Sequence, residues 1–334
     1  MSRIVHGGRI DAAIAKHGGT RAKWLDLSTG INAKGWPVPE LEASIWRELP
    51  DEGLADTCRA AARKAYGVHE VAHVSLAPGS QMHIQVLPRL FKPQPVAVVG
   101  FTYQEHGVCW QQAGHEVYVT DGLESAEATA RIVIVVNPNN PDGRIIGRSG
   151  LVALARRLGA KGGLLVVDEA FGDVTPNASV VPEAGRDGMV VMRSLGKFYG
   201  LAGARLGMAF CAPMLGERLD SALGPWAVSG PALEIGTKAL LDEKWRARTR
   251  KALSAGREAL EEVLLNAKLE VVGGTDLFVL ARHEKADAVA EALAAKHIAV
   301  RTFPRKPEWI RFGIPARKSD LNRLTKALTA FNAL

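Results

Sequence analysis

From about residue 70 onward, the chain alternates between short apolar runs and longer stretches that repeat apolar residues at helical spacing. The runs are rich in β-branched residues, and the predicted strands are HVSLA, PVAVVG, HEVYVT, RIVIVV, GLLVV, MVVMRS and RLGMAFC. Most of these runs are apolar at consecutive positions, which is typical of strands that helices cover on both faces. We therefore predict an α/β fold whose larger domain has a mostly parallel central sheet flanked by helices.

The pattern changes after GPWAVSGPA at residues 224–232. A long charged stretch of helical character follows, and then strands and helices in mixed order, which predicts a smaller α+β domain. We expect an N-terminal arm, residues 1–35, to join this small domain. The large domain would then cover residues 36–222, and the small C-terminal domain residues 223–334.

Composition fits a globular protein of two structural units, because 47% of the 334 residues are hydrophobic and 23% are charged. The net charge of +7 raises the question of a nucleic-acid partner. Because the basic residues are scattered and no nucleic-acid-binding motif is present, we expect none. No apolar run approaches the roughly 20 residues that span a bilayer, so we expect no membrane partner either.

The N-terminus is too polar for a signal peptide, and the three cysteines are far apart. Cys58, Cys109 and Cys211 fit neither a disulfide framework nor a metal site. We therefore expect a cytoplasmic protein without a bound metal.

Polar residues follow several of the predicted strands, and ligands of α/β sheets bind at the carboxyl ends of the strands. In Pro78-Gly79-Ser80-Gln81, free N–H groups at a helix start, a hydroxyl and an amide could bind a phosphate. Such a turn is more often an ordinary helix start with its cap. The prolines of NPNNPDG, residues 137–143, hold that loop extended, so that it either directs its asparagine side chains or simply forms a rigid turn.

An acid and an amine complete the candidate chemistry. Asp168 ends the apolar run GLLVV and needs a partner, either a cation of the protein or the ring nitrogen of a cofactor. Lys197, in SLGKFYGLAGARLG, lies among small and apolar residues, where desolvation and a nearby cation lower the pKa of an amine and favour attack on an aldehyde. Ser194 and Arg205 add donors for a phosphate. Together these groups point to pyridoxal 5'-phosphate.

Through nearly its whole length the chain resembles the fold-type I pyridoxal-phosphate enzymes of the class I/II aminotransferase superfamily. HGGRIDAAIAKHG, residues 6–18, and WLDLSTGINAKGWP, residues 24–37, are similar to the beginning of the threonine-phosphate decarboxylases of cobalamin biosynthesis. Histidinol-phosphate aminotransferases share most of the core motifs. The resemblance also implies a homodimer.

The resemblance implies roles for the residues of the larger domain. Lys197 would bind the cofactor covalently, Asp168 would pair with its pyridine nitrogen, and Asn140 would hydrogen-bond its phenolic oxygen. The remaining cofactor-binding residues are implied to be Gly79, Ser80, Gln81, Ser194, Arg205 and, from a neighbouring subunit, Tyr66. His106 is also implied to bind the cofactor: it stands where related enzymes carry a tyrosine that stacks on the ring, and an imidazole can also stack. Phe171 stands where many of them have a tyrosine that hydrogen-bonds the cofactor oxygen.

The resemblance also implies a substrate pocket. Arg311 would bind the substrate carboxylate, Arg301 would be a second substrate-binding arginine, and His6 and Asn32 would line the pocket from the N-terminal arm. The implied reaction is decarboxylation of L-threonine O-3-phosphate to (R)-1-amino-2-propanol O-2-phosphate in cobalamin (vitamin B12) biosynthesis. The alternative is a histidinol-phosphate or related aminotransferase, since both reactions use the same core residues.

Overall fold

The computed structural model describes residues 6–186 and 188–333, which form two compact units. Unit 1 contains the described residues up to Gly35, residues 141–143 and the residues from Ala247 onward. Unit 2 contains Trp36–Asn140 and Arg144–Arg246. Within the described ranges, no helix is both long and apolar enough to cross a membrane.

The strands and helices are as follows in chain order. The strands are β1 (Leu25–Asp26), β2 (His73–Ala77), β3 (Pro95–Val99), β4 (Glu116–Thr120), β5 (Ile132–Val136), β6 (Leu164–Asp168), β7 (Met189–Ser194), β8 (Gly207–Cys211), β9 (Glu270–Thr275), β10 (Phe278–Arg282), β11 (Ile298–Ala299), β12 (Arg301–Thr302) and β13 (Trp309–Gly313). The α-helices are α1 (Ile10–His17), α2 (Glu52–Tyr66), α3 (Ser80–Val86), α4 (Gln104–Gln112), α5 (Leu123–Thr129), α6 (Arg148–Gly159), α7 (Pro213–Leu223), α8 (Gly230–Leu241), α9 (Glu243–Asn266), α10 (Ala286–Ala295) and α11 (Lys318–Asn332).

The sheet of unit 2 has the strand order β2-β8-β7-β6-β5-β3-β4. Strands β3 to β7 pair in parallel, whereas β8 runs antiparallel to both of its neighbours. Strands β5 to β8 are buried at every position, which accounts for the consecutive apolar residues that make up most of each strand. The predicted α/β fold with a mostly parallel central sheet is confirmed.

The register of β8 brings several candidate residues to one edge of this sheet. Gly207, the first residue of β8, pairs with Ala77 at the end of β2 and with Ser194 at the end of β7. Because β8 runs in the opposite direction, Arg205 just before it lies at the edge where β2 and β7 end. Asp168 ends β6 at the same edge, opposite Met192 of β7.

Unit 1 is an α+β structure. Its antiparallel sheet has the order β12-β13-β10-β9, and β1 pairs in parallel with β11. One apolar core joins Leu27 of the N-terminal arm to Leu260 of α9, Phe312 of β13 and Leu324 of α11. Burial of Leu27 in this core explains why the arm belongs to unit 1.

The predicted domain boundary after residue 222 differs from this division, in which residues 223–246 belong to unit 2. Helix α8 packs against α2. At Gly236 a Cβ atom would overlap the side chain of Leu206, so that this close approach requires glycine. The helix is therefore part of the packing of the larger unit.

Candidate active site

The turn between β2 and α3 forms a seat for an anion. Gly79 has φ of +79°, and a Cβ atom placed there would lie 2.6 Å from Nη2 of Arg205. The exposed guanidinium therefore lies directly over the start of α3, where the backbone N–H groups also favour negative charge. At Gly207 a Cβ would overlap the backbone nitrogen of Ser80, so β8 also approaches this turn closely. The structure thus brings together Gly79, Ser80 and Arg205, as the phosphate prediction requires.

Ser194 and Lys197 follow β7 at the same edge. The Ser194 hydroxyl accepts a hydrogen bond of 3.2 Å from the Gly196 N–H and so shapes the turn that carries the lysine. Lys197 is half-buried, and its Nζ lies 5.7 Å from the ring centroid of Phe171. Phe198, the next residue, is fully buried. The amine therefore lies beside an aromatic face at the position where related enzymes have a phenol.

Asp168 has a fixed, buried carboxylate. Its Oδ1 accepts the Ala170 N–H at 2.9 Å, and its Oδ2 lies 2.9 Å from Nε2 of His106. A carboxylate only accepts hydrogen bonds, so Nε2–H of the imidazole is the donor. The side chains of His106 and Asp168 are 1% and 4% exposed. His106 was expected to stack on the cofactor, and the structure adds that it binds the acid.

The loop after β5 is held by its own asparagines. The Asn137 side chain bonds to both backbone groups of Ile146, with its Oδ1 2.8 Å from the N–H. The Asn139 Oδ1 accepts the Thr102 hydroxyl at 2.6 Å, and its Nδ2 donates to a backbone carbonyl. The side chains of Asn137 and Asn139 therefore hold the loop in place. The third asparagine, Asn140, is buried in the same loop.

Two of the predicted cofactor-binding residues have other surroundings. The Gln81 Oε1 accepts the Tyr103 hydroxyl at 2.9 Å, and its Nε2 donates to Glu105 at 3.3 Å, so its amide holds the start of α4.

Tyr66 is predicted to reach the cofactor phosphate of a neighbouring subunit, whereas the structure places its ring within unit 2, against Phe210 and beneath the guanidinium of Arg193. Its hydroxyl is buried, and burial raises the pKa of this phenol well above its usual value. Gly67 has a simpler role, because it ends α2 in the left-handed conformation with its N–H on the Arg63 carbonyl.

A buried ion cluster next to the site was not predicted. Arg193 of β7 lies 2.8 Å from the Glu169 carboxylate and 3.5 Å from that of Asp173, and all three are at most 2% exposed. Burial raises the pKa of Glu169, while Arg193 opposes that rise. Burial lowers the pKa of Arg193, but the two carboxylates raise it above its usual value. The signal in the sequence was a charged residue beside each site residue in DEAF and in MRS.

The predicted substrate residues all belong to unit 1. Arg301 and Arg311 are opposite each other on β12 and β13. Arg311 is 2% exposed, donates to the Ser28 carbonyl at 3.1 Å and lies 4.8 Å from the Phe278 ring. Burial and then the charge of Arg301 lower the pKa of Arg311 well below its usual value, with Asp26 opposing. Two like charges at such a position favour the binding of an anion.

The N-terminal motifs fold onto the same strand. At Gly7 a Cβ would overlap the carbonyl of Ser28, and Gly8 donates its N–H to the Ser28 hydroxyl at 2.7 Å. His6 precedes this contact and is half-buried. At Gly313 a Cβ would overlap the Thr29 carbonyl. The HGG, STG and RFG motifs therefore lie in contact, and the absence of a Cβ at their glycines allows these contacts.

Asn32 completes the predicted set in unit 1. It is buried, and its Oδ1 accepts the Lys34 N–H at 3.0 Å. Ser28 was not among the predicted residues, although it contacts both the arm, through Gly8, and Arg311. A serine within STGIN reads as an ordinary turn residue, so the sequence carried no signal for this contact.

The family described as "Aminotransferase class I and II" matches residues 26–330. A threonine-phosphate decarboxylase from Sinorhizobium sp. is 43% identical over 332 residues, covering 97% of each chain. Another from Pseudomonas aeruginosa is 39% identical over 336 residues, covering 98% of each.

Solved structures show the same fold. The histidinol-phosphate aminotransferase from Sinorhizobium meliloti, in complex with pyridoxal-5'-phosphate, matches with a TM-score of 0.82 at 20% identity. The match covers 99% of this chain and 96% of that one. The expected resemblance, in fold and along the sequence, is confirmed. The chain therefore belongs to the class I and II aminotransferase family.

Proposed function

We propose that this chain is a pyridoxal 5'-phosphate enzyme that decarboxylates L-threonine O-3-phosphate to (R)-1-amino-2-propanol O-2-phosphate, for cobalamin biosynthesis. One observation carries the proposal: the two relatives that match 97–98% of both chains are named threonine-phosphate decarboxylases. The close packing of the HGG and STG motifs near Arg311 supports it, because those motifs carried the resemblance to this group.

The residues of unit 2 fit the cofactor. The seat at Gly79, in which a Cβ would meet the Arg205 guanidinium, suits a phosphate, together with Ser80 and Ser194. Asp168 is a buried acid suited to a ring nitrogen, and Lys197 is a half-buried amine beside the Phe171 ring. When bound, pyridoxal 5'-phosphate supplies an aldehyde for covalent attachment and a ring that accepts the electron pair released at the substrate Cα.

Each residue then has a defined task. Lys197 would hold the cofactor and would supply the proton at the substrate Cα. Asp168 would hold a proton at the ring nitrogen, Asn140 would bind the phenolic oxygen, and His106 would be a further cofactor-binding residue. One C–C bond breaks, carbon dioxide leaves, and one proton replaces it at Cα.

The arginines of unit 1 suit a substrate with two anionic groups. Arg311 is fixed by the Ser28 carbonyl and by Phe278, so we assign it the carboxylate. Arg301 is half-buried on the neighbouring strand and would take part in binding the second anionic group, with His6 and Asn32 at the pocket wall. A phosphorylated amino acid carries both groups.

We also propose a cytoplasmic homodimer. Tyr66 no longer supports a dimer, since its ring is inside the protomer. Support comes instead from exposed apolar side chains of unit 2, among them Trp46 and Leu49 at 68% and Trp226 at 61%. The three cysteines are all buried and free, as in a reducing compartment.

The experiment that tests the reaction follows two products. Purified protein with pyridoxal 5'-phosphate and threonine phosphate should release carbon dioxide, and a Lys197→Ala variant should not. Histidinol phosphate with 2-oxoglutarate should give no glutamate. Glutamate formation without carbon dioxide release would instead establish the aminotransferase.

A further inference from the structure

The carboxylate of Asp168 depends on His106 for its orientation. Its two oxygens have one donor each, the Ala170 N–H on Oδ1 and the His106 imidazole on Oδ2, both at 2.9 Å. The backbone donor follows the acid by two residues and turns with the same chain segment. The imidazole comes from α4, and it therefore ties the acid to a separate element.

His106 in turn depends on Tyr103. The phenol ring meets the imidazole edge to face, with centroids 6.2 Å apart and planes at 84°. Tyr103 is the N-cap residue of α4, and its carbonyl accepts the His106 N–H at 3.3 Å. The Tyr103 ring packs beside the His106 imidazole and limits rotation of that side chain.

Tyr103 is fixed at its other end by Gln81. The phenol O–H donates to Gln81 Oε1 at 2.9 Å, and Gln81 Nε2 reaches Glu105 on the same first turn of α4. Gln81 directly follows Gly79 and Ser80 in the chain. The contacts therefore run without a break from the anion seat, through Gln81, Tyr103 and His106, to Asp168.

We propose that Tyr103 is a positioning residue, which acts through His106 to hold the Asp168 carboxylate in the orientation that receives the ring nitrogen of the cofactor. Gln81 is part of the same series of contacts and is not one of the phosphate ligands. This inference rests on the proposed function, because it assigns the ring nitrogen to Asp168. It adds a link between the two ends of the cofactor site, which neither the fold nor the motifs require.

The first experiment removes the hydrogen bond between the Tyr103 hydroxyl and the Gln81 side chain by replacing one partner at a time. Tyr103→Phe and Gln81→Met should each weaken pyridoxal 5'-phosphate binding by about three- to tenfold, and the double variant should be no worse than either single one. The dissociation constant of the apoprotein for the cofactor is measured by fluorescence titration. Tyr118→Phe, on exposed β4, is the matched control and should leave it unchanged. Independent, additive losses would overturn the proposal.

The second experiment asks whether Tyr103 acts through His106. Tyr103→Leu should change the visible spectrum of the bound cofactor and its dependence on pH, and should lower kcat for decarboxylation with little change in KM. In a His106→Phe background the same substitution should have no further effect. Spectra and kcat of Tyr103→Leu that match those of the native protein would contradict the proposal.

Failure of the two proposals is distinguishable. A native protein that binds no pyridoxal 5'-phosphate, or that releases no carbon dioxide, refutes the proposed function. A native protein that does both, with the Tyr103 and Gln81 variants identical to it, refutes only the positioning role. Circular dichroism of each apoprotein reports folding, and should Tyr103→Leu fail to fold, the Tyr103→Phe and Gln81→Met cycle decides the question.

Discussion

Asp168 and Glu169 are adjacent in the chain, yet they have different partners, because successive residues at a strand end point to opposite faces of the sheet. Asp168 binds His106, and Glu169 binds Arg193 at 2.8 Å and the Ser179 hydroxyl at 2.7 Å. Arg193 directly precedes Ser194 of the candidate site. The buried pair therefore fixes the ends of β6 and β7 next to Asp168 and Ser194 of the candidate site.

Breaking the buried Glu169–Arg193 pair should be strongly destabilising. Glu169→Ala leaves a buried guanidinium with weaker compensation, and we expect it to lower the free energy of unfolding by about 3–5 kcal/mol. Urea unfolding of the apoprotein measures this. Glu127→Ala breaks an exposed pair with Arg157 and should cost far less. Equal losses in the two variants would show that burial of the first pair has no special weight.

At the scale of elements, glycines set how closely chain segments approach. The arm meets the segment after β1 at Gly7, where a Cβ would overlap the Ser28 carbonyl, and the same carbonyl receives Arg311. A side chain at Gly7 would push the arm away from this carbonyl. The two glycines of the HGG motif are therefore explained by packing within unit 1.

Gly7→Ala should impair substrate binding alone. We expect KM for threonine phosphate to rise about tenfold or more, because the arm no longer seats beside Arg311. The affinity for pyridoxal 5'-phosphate should stay unchanged, since its residues belong to unit 2. Gly53→Ala, where the nearest atom to a Cβ is 3.6 Å away, is the control. A loss of cofactor affinity in Gly7→Ala would contradict this division of tasks.

At the scale of the whole molecule, the sequence predicted those features that depend on local pattern. Apolar runs located the strands, and polar residues at their ends located Lys197 and Asp168. One pattern can have two physical causes: Tyr66-Gly67 resembles a phosphate ligand of the family, while in the structure Gly67 caps a helix and the Tyr66 ring packs against Phe210. The sequence could not supply the side-chain bonds of Gln81, Tyr103 and Arg193, because they join residues distant in the chain.

The proposed dimer predicts how surface charges change the mass of the protein in solution. The double variant Trp46→Glu with Leu49→Lys places charges among exposed apolar side chains of unit 2 and should convert the proposed dimer to single chains. Light scattering gives the mass in solution. Val272→Lys, at an exposed position of unit 1, should keep the dimer. A native mass equal to one chain would refute the dimer itself.

The proposed function depends on a covalent bond between the Lys197 amine and the aldehyde of pyridoxal 5'-phosphate. Borohydride treatment of the cofactor-loaded protein, followed by peptide mass spectrometry, tests for this bond. We expect the cofactor to be fixed on the peptide containing Lys197, and Lys197→Ala to yield no modified peptide. Attachment to a different lysine, or none in the loaded native protein, would contradict it.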